Sequence, residues 1–442
     1  MEPNTLLDAL LDEAGMSRAG LAARLNQAGQ RNGMIMRYDH TSVGRWLKGQ
    51  RPRGWVPQII CELLSECLSR RVTLDDIGMG RPESVHVAPL TGFIARATAL
   101  WRSDQERRDL PDMPVITGTR AIAPVWEWEN PPEDRDVSRP AGLRVDAGDV
   151  AMLRTARTHY ESMYRQAGGI ATRPRVVRFL MEHTAPLLRG SYSDRTGRSL
   201  FRAAGGLVAV AGICGYDSDA QGLAQRYFHQ ALRLAKASGD RRFGGYVVAL
   251  LVNQAVSLKD YRQAIAFAEA GLRTAGPHIS PALKTDLYAM QAKAFAGMKA
   301  VSDAHRCMML AEQTAAQIRR EDEPPETEYM QPGLVEAQLA EALTSLGELA
   351  SARAYAEEAV RRHTHARGRV HRMATLTMVE LNRGEVERAA VSAVQMVDLA
   401  SGMESRRLRD RFDQLRRRLT QQGGAVTAEA VARLDEALSV PL

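Results

Sequence analysis

Apolar positions recur with helical spacing from the first residues. Leu6, Leu7, Leu10 and Leu11 fall at i, i+1, i+4 and i+5 and predict one amphipathic helix. Ser17 is suited to cap a second, beginning at Arg18, with Leu21, Ala22 and Leu25 turned inward. Val43, Trp46 and Leu47 predict a short third helix, entered through Asp39 and stopped by Gly49 and Pro52. Pro57 suits the first turn of a fourth, which carries Ile59, Ile60, Leu63, Leu64 and Leu68. Beyond Gly78 the rhythm breaks. Pro82, Pro89, Pro111, Pro114, Pro124, Pro131, Pro132 and Pro140 interrupt the chain up to about Asp149, where only Phe93 to Arg108 reads as helix. The strip from Val125 to Pro132, with Trp126 and Trp128, reads as a linker tacked by two tryptophans onto its neighbour, with a docking strip as the alternative. From Val150 onward the pattern is helical again.

The third helix leaves His40, Thr41, Gly44, Arg45 and Lys48 on the face away from its apolar residues. Short and basic side chains there suit base edges and phosphates. Between Arg31 and Arg53 six basic residues stand against one acid, Asp39, whereas residues 1–78 as a whole hold ten basic and nine acidic residues. Positive charge is therefore concentrated where a phosphate backbone would pass. Arg45 is expected to read a base, and Arg18, Lys48, Arg51 and Arg53 to touch phosphates. Arg37 is expected to reach the backbone or minor groove, and His40, Thr41 and Ser42 complete the DNA-facing set. Thr41-Ser42-Val43-Gly44-Arg45-Trp46-Leu47-Lys48-Gly49 with Arg51-Pro52, preceded by Leu21-Ala22 and Leu25, resembles the recognition and preceding helices of Xre-like helix-turn-helix domains. About ten extra residues, Ala28 to Tyr38, lengthen the turn; a small hairpin and a mobile loop are both open readings.

The C-terminal part contains a repeat. Ala224, Ala264, Ala304, Ala352 and Ala389 are followed seven residues later by Ala231, Gly271, Ala311, Ala359 and Met396. Twelve residues earlier stand Gly212, Val252, Ala292, Ala340 and Thr377. Small residues at these positions let antiparallel helix pairs approach closely, and the spacing resembles the tetratricopeptide repeat (TPR). Eleven before each anchor lie Ile213, Asn253, Lys293, Glu341 and Met378, expected to line a concave groove. Asn253, Lys293 and Glu341 are the candidate ligand-binding residues there, set against an ordinary solvated lining. An acidic, proline-bearing insert at residues 321–326 lengthens the third interval. The arginines from Arg406 to Arg418 read as a solvated capping face, with a second nucleic-acid patch as the sharper alternative.

Composition adds a net charge of +7, which favours anionic partners, and a strong excess of Arg over Lys (six lysines), which suggests a GC-rich genome. Cys61, Cys67, Cys214 and Cys307 form no CxxC and are expected as buried thiols in a reducing cytoplasm. A signal peptide, membrane span, cofactor motif or catalytic motif is not found, so a cytoplasmic non-enzyme without cofactor or metal is expected. His363, His365 and His371 cluster but lack further metal ligands.

The expected fold is all-α: an Xre-like head over 1–80, a proline-rich linker with one helix over 81–149, and a helical cap over 150–204. About five TPR-like repeats over 205–403 and capping helices over 404–442 complete the α-solenoid. That layout, with Asp39 to Gly54, resembles the helix-turn-helix plus TPR transcriptional regulators of Streptomyces, the NsdA type. The resemblance implies a dimeric repressor of development or secondary metabolism that binds double-stranded DNA, with a peptide, small molecule or protein in its groove. A TPR interaction scaffold whose head ignores specific DNA is the rival reading.

Overall fold

The computed structural model describes residues 4–31, 36–50, 52, 56–68, 72–74, 76–79, 90–106, 112–131 and 133–439. The chain is all-α, with two isolated β-bridges and no strand among these residues. It divides into two compact units, residues 1–88 and 89–442.

The first unit holds α1 (Thr5–Glu13), α2 (Arg18–Arg31), α3 (His40–Leu47) and α4 (Val56–Leu68). Its core follows the predicted faces, with Leu7, Leu10 and Leu11 meeting Leu21, Leu25, Val43, Trp46, Ile60 and Leu64, but Leu6 stays outside and is exposed. The expected starts are in place, with Ser17 Oγ accepting the Gly20 N–H at 3.0 Å and Asp39 Oδ1 accepting the Ser42 N–H at 2.8 Å. Gly49, just past α3, sits at φ +95°, a conformation that spares a glycine but strains other residues. Asn4 caps α1 and also ties the unit together, donating from its side chain to Ile77 O at 2.9 Å and from its amide to Leu47 O at 2.8 Å.

The second unit is a solenoid of antiparallel helix pairs. These are α10 (Asp194–Asp217) with α11 (Gln221–Ser238), α12 (Arg241–Ser257) with α13 (Tyr261–Ala275), and α14 (Pro281–Gly297) with α15 (Val301–Ala315). After the insert come α16 (Leu334–Leu346) with α17 (Leu349–Arg361), α18 (Ala366–Arg383) with α19 (Val386–Leu399), and the final α20 (Arg406–Gln422) with α21 (Ala425–Ser439). All five alanine anchors lie in second helices and are fully buried, and their partners twelve before and seven after are buried too. Small side chains at these points are what close approach requires. A Cβ on Gly212 would sit 2.6 Å from the Phe228 ring. The apolar helix α10 is long enough to cross a membrane by composition, and its apolar window is 83% buried inside the solenoid.

Upstream, α7 (Ala147–Ala167), α8 (Gly169–Phe179) and a π-helical turn at Leu180–Thr184 running into α9 (Ala185–Leu188) cap the first pair. The region expected as a linker with one helix is different. Among its described residues it carries two helices, α5 (Leu90–Glu106) and α6 (Thr119–Glu129), and these belong to the solenoid unit. Phe93, Ile94, Trp101, Val125 and Trp128 enter the solenoid core. Trp101 Nε1 donates to Gln230 at 2.8 Å, Gln225 exchanges two hydrogen bonds with the Ile116 backbone, and Arg233 grips Asp134 with both guanidinium nitrogens. The two tryptophans part ways: Trp128 is 5% exposed against Gly244, and Trp126 is 46% exposed. Cysteines likewise divide, with Cys61, Cys214 and Cys307 buried as expected but Cys67 exposed.

The ends of the solenoid meet. The Glu404 amide donates to Ala167 O at 2.8 Å, and the Ile170 amide to Glu404 O at 3.4 Å. Gly168, at φ +91°, makes this approach feasible, because a Cβ there would lie 2.3 Å from Glu404 O. Beside it, fully buried Asp217 accepts from the Gly169 amide (2.8 Å), the Ser405 hydroxyl (2.7 Å) and Arg367. One carboxylate thus joins α8, α10, α18 and the start of α20 across 150 and 188 residues of chain.

Candidate functional sites: an exposed basic helix and a cavity in the solenoid

In the first unit, α3 buries Ser42, Val43, Trp46 and Leu47. His40, Thr41, Arg45 and Lys48 are exposed, as are Arg18 and Arg37 on the flanking segments. Gly44 lies between them with open space where a side chain would stand, so the helix face is shallow there. Ser42 departs from expectation. It is buried, and its hydroxyl donates to Asp39 Oδ1 at 2.8 Å while accepting from Arg45 Nη2 at 3.3 Å. The reason is geometric: one residue before Val43, it falls on the side where the helix entry turns back on Asp39. Thr41 also donates to Asp39, and these hydroxyl bonds with the Ser42 amide hold that carboxyl far below its usual range. The cap therefore stays charged at any ordinary pH and fixes the orientation of the exposed face. Tyr38 is fastened by a two-way bond to Asn26 (2.8 Å each) and packs edge-on against Trp46 at 5.2 Å, which anchors the C-terminal end of the extended turn. Arg51, Arg53 and residues 32–35 of the turn lie outside the described residues.

In the second unit, a cavity of about 270 Å³ opens on the inner side of the helix pairs. The expected groove positions converge on it: Ile213, Asn253, Lys293 and Glu341, from four successive first helices, all line the wall. Met378 lies in a neighbouring depression that shares Glu341 and Arg411. Glu341 is bridged by Lys293 Nζ at 2.6 Å and Arg411 at 2.8 Å, and accepts from Thr375 at 3.1 Å. Burial would raise its pKa, but the two cations outweigh that and hold the carboxyl well below its ordinary value. Asn253 Oδ1 accepts from the Tyr216 hydroxyl at 3.2 Å.

Much of the wall had no signature in the sequence. The acidic insert is tied down beside the cavity, with Glu326 buried between Arg157 and Arg202, and just after it Tyr329 joins the wall and donates to buried Asp286 at 2.6 Å. Burial raises the Asp286 carboxyl above its usual range despite that bond and a second from Gln338 at 2.9 Å. The C-terminal arginines were expected on a solvated cap, and Arg416 and Arg417 do pair on its surface with Asp413. Arg407 and Arg411, four residues apart, instead reach inward; Arg407 lies over the Tyr216 ring at 4.1 Å. His365 caps α18, its Nδ1 accepting the Gly368 amide at 3.1 Å. Burial, reinforced by Arg165 and Arg367, lowers its pKa to about 4. His371 is likewise held well below its ordinary value, first by burial and then by Arg367, Arg411 and Arg407, so both wall histidines are neutral. Among the described residues no group of three or more His, Cys, Asp or Glu is placed to hold a metal ion.

Residues 7–80 match the family model described as the SP15 N-terminal domain. No curated protein matches the chain.

Proposed function

We propose that this protein is a DNA-binding transcriptional regulator in which the first unit is an Xre-like helix-turn-helix head and the solenoid is a TPR-like sensor. The observation that carries the reading is α3 itself. Its apolar residues are buried, while His40, Thr41, Arg45 and Lys48 share an exposed, shallow face whose orientation is fixed by the charged Asp39 cap. A helix of this composition, following a packed partner helix, suits the major groove, where Arg reads guanine through two donors and lysine neutralises phosphate. Arg18 and Arg37 flank it as backbone contacts, and Ser42 acts by supporting Arg45 rather than by touching DNA. A single head offers about one half-site, so the protein acts as a dimer on two half-sites. The cavity of the solenoid holds the signal, with Asn253, Lys293 and Glu341 in its wall.

Incubating the purified full-length chain with fragmented genomic DNA of its host and sequencing the retained fragments tests this reading. Enriched fragments sharing a two-fold sequence motif are expected, and Arg45→Ala should flatten preference at one base position in each half-site. Retention without any shared motif would leave the head without sequence recognition and favour an interaction scaffold.

A further inference from the structure

The cavity wall contains polar atoms that the protein does not satisfy. Arg367 is buried, its side chain 4% exposed, and it divides its guanidinium unevenly. Nη2 donates to Asp217 and to Ser405 Oγ at 3.2 Å, whereas buried Nη1 has no hydrogen-bond partner and the guanidinium lies 4.9 Å from the centre of the Tyr164 ring. Gln338, 5% exposed, donates through Nε2 to Asp286 at 2.9 Å, and its buried Oε1 accepts nothing. Thr364 Oγ1, on the same wall, is also buried and unpartnered. Buried polar atoms are nearly always paired, and one left bare is destabilising. Three residues of one cavity wall thus each carry a buried polar atom with no hydrogen-bond partner, which marks that wall as the complement of something that binds there.

Their chemistry is selective. A guanidinium N–H wants an acceptor, best an anionic one, and the Gln338 carbonyl wants a donor. The wall is also rich in cations: Arg165, Lys293, Arg367, Arg372, Arg407 and Arg411 stand against Glu161, Asp286 and Glu341, with Asp217 and Glu328 beside the wall pairing Arg367 and Arg165. Neither Arg372 nor Arg407 has a carboxylate within salt-bridge distance among the described residues; Arg372 instead donates to the carbonyls of Ala359 and Arg362 at 3.2 and 3.1 Å. The three nearby acids and the single unpartnered guanidinium nitrogen favour a monoanion over a dianionic phosphate. Ile213, Phe228, Leu250, Met290 and Leu334 supply an apolar surface for the rest of the ligand. At about 270 Å³ the cavity is near the lower end of the range of small-molecule sites, roughly 300–1,000 Å³, and a small molecule suits it.

We infer that the cavity binds a small organic carboxylate with a hydrogen-bond donor on its body, the carboxylate on Arg367 Nη1 and the donor on Gln338 Oε1. This deepens the sensor reading proposed above and rests on it for its regulatory meaning. Arg367 also holds Asp217 where the solenoid ends meet, so a ligand on Nη1 bears on the side chain that closes the ring. A ligand that prefers the closed arrangement shifts the protein toward it.

The test uses the full-length protein and two probes, 4-hydroxybenzoate and indole-3-acetate, each beside its uncharged amide, with binding read by calorimetry and thermal unfolding. At least one acid should bind with a Kd of about 100 µM or tighter, which in free energy is roughly −5.5 kcal/mol. Its amide should bind about tenfold or more weakly, as loss of a charge-assisted hydrogen bond requires. Arg367→Lys should abolish this discrimination, and Leu250→Trp, which fills the cavity without touching Arg367, should abolish binding; Arg45→Ala should change neither. Absence of binding by both acids, equal binding of acid and amide, or wild-type binding by a folded Leu250→Trp variant would overturn the inference. DNA affinity measured on the same preparations separates the two readings. Acid binding by a protein that ignores DNA keeps this site and removes the regulator, whereas DNA binding without acid binding overturns the site alone.

Discussion

Replacing Asp217 with alanine removes the one carboxylate on which the meeting of the solenoid ends depends. The Gly169 amide, the Ser405 hydroxyl and the Arg367 guanidinium all converge on it, and all are buried in its neighbourhood. Deleting one member of a buried ion pair costs about 3–5 kcal/mol, because the remaining charge has no water and no partner. Arg367 is in that position: its side chain is 4% exposed, and its Nη1 already lacks a partner. Asp217→Ala should therefore lower the stability of the solenoid unit by about 3–5 kcal/mol in urea unfolding followed by circular dichroism. Amide exchange should accelerate selectively at Gly169, Ile170 and Glu404, whose hydrogen bonds span the closure. The double variant Asp217→Leu with Arg367→Met should recover most of the loss, since it leaves no buried charge behind. A loss below about 1 kcal/mol, or a double variant as unstable as the sum of the two single changes, would refute the reasoning.

Three further outcomes follow. His365 has a pKa of about 4 in the folded protein against an ordinary 6.5, so the unfolded chain takes up its proton first as pH falls. Stability should drop between pH 6.5 and about 4, by roughly 1–2 kcal/mol at pH 5 from this group, and His365→Asn, which caps without titrating, should make the fall of melting temperature across that window shallower, with His371 supplying part of what remains; an unchanged pH slope would contradict the assignment. Gly244→Ala places a Cβ 2.1 Å from Trp128 Nε1, which should cost about 1–3 kcal/mol and shift tryptophan emission to the red as Trp128 loosens; unchanged emission and melting would show that α6 does not depend on that contact. Lys48→Ala should weaken binding to every duplex alike and reduce the salt slope by about one unit, whereas a loss confined to one sequence would make Lys48 a base reader.

What could be read in the sequence was local. The caps at Ser17 and Asp39, the stop at Gly49, and the inward faces of α1 to α4 all follow from side-chain chemistry within four residues. The repeat was legible because close helix packing demands small residues at fixed spacing, and Ala224 through Ala389 are indeed fully buried. The same register placed Asn253, Lys293 and Glu341 on one wall. What was missed depends on partners far away. Proline density suggested a linker, yet Trp101 and Trp128 bury against the solenoid helices, and tertiary packing decided the outcome. Ser42 was assigned outward from composition, although its hydroxyl is taken by the cap. The arginine-rich α20 carries no mark that distinguishes Arg407 and Arg411 from their neighbours; only the face they share, four residues apart, turns them inward. Asp217 and Arg367 stand 150 residues apart, and no pattern in the chain announces their meeting.

The central claim is that the exposed face of α3 reads DNA. Fluorescence anisotropy of the full-length chain with a duplex carrying the motif enriched from genomic fragments, and with a scrambled duplex of equal composition, measures it most directly across a range of salt. The account predicts binding at least about a thousandfold tighter to the motif at physiological salt, a steep loss of affinity with rising salt on both duplexes, and collapse of the preference in Arg45→Ala. Equal affinity for the two duplexes, or binding indifferent to salt and to Arg45→Ala, would contradict it.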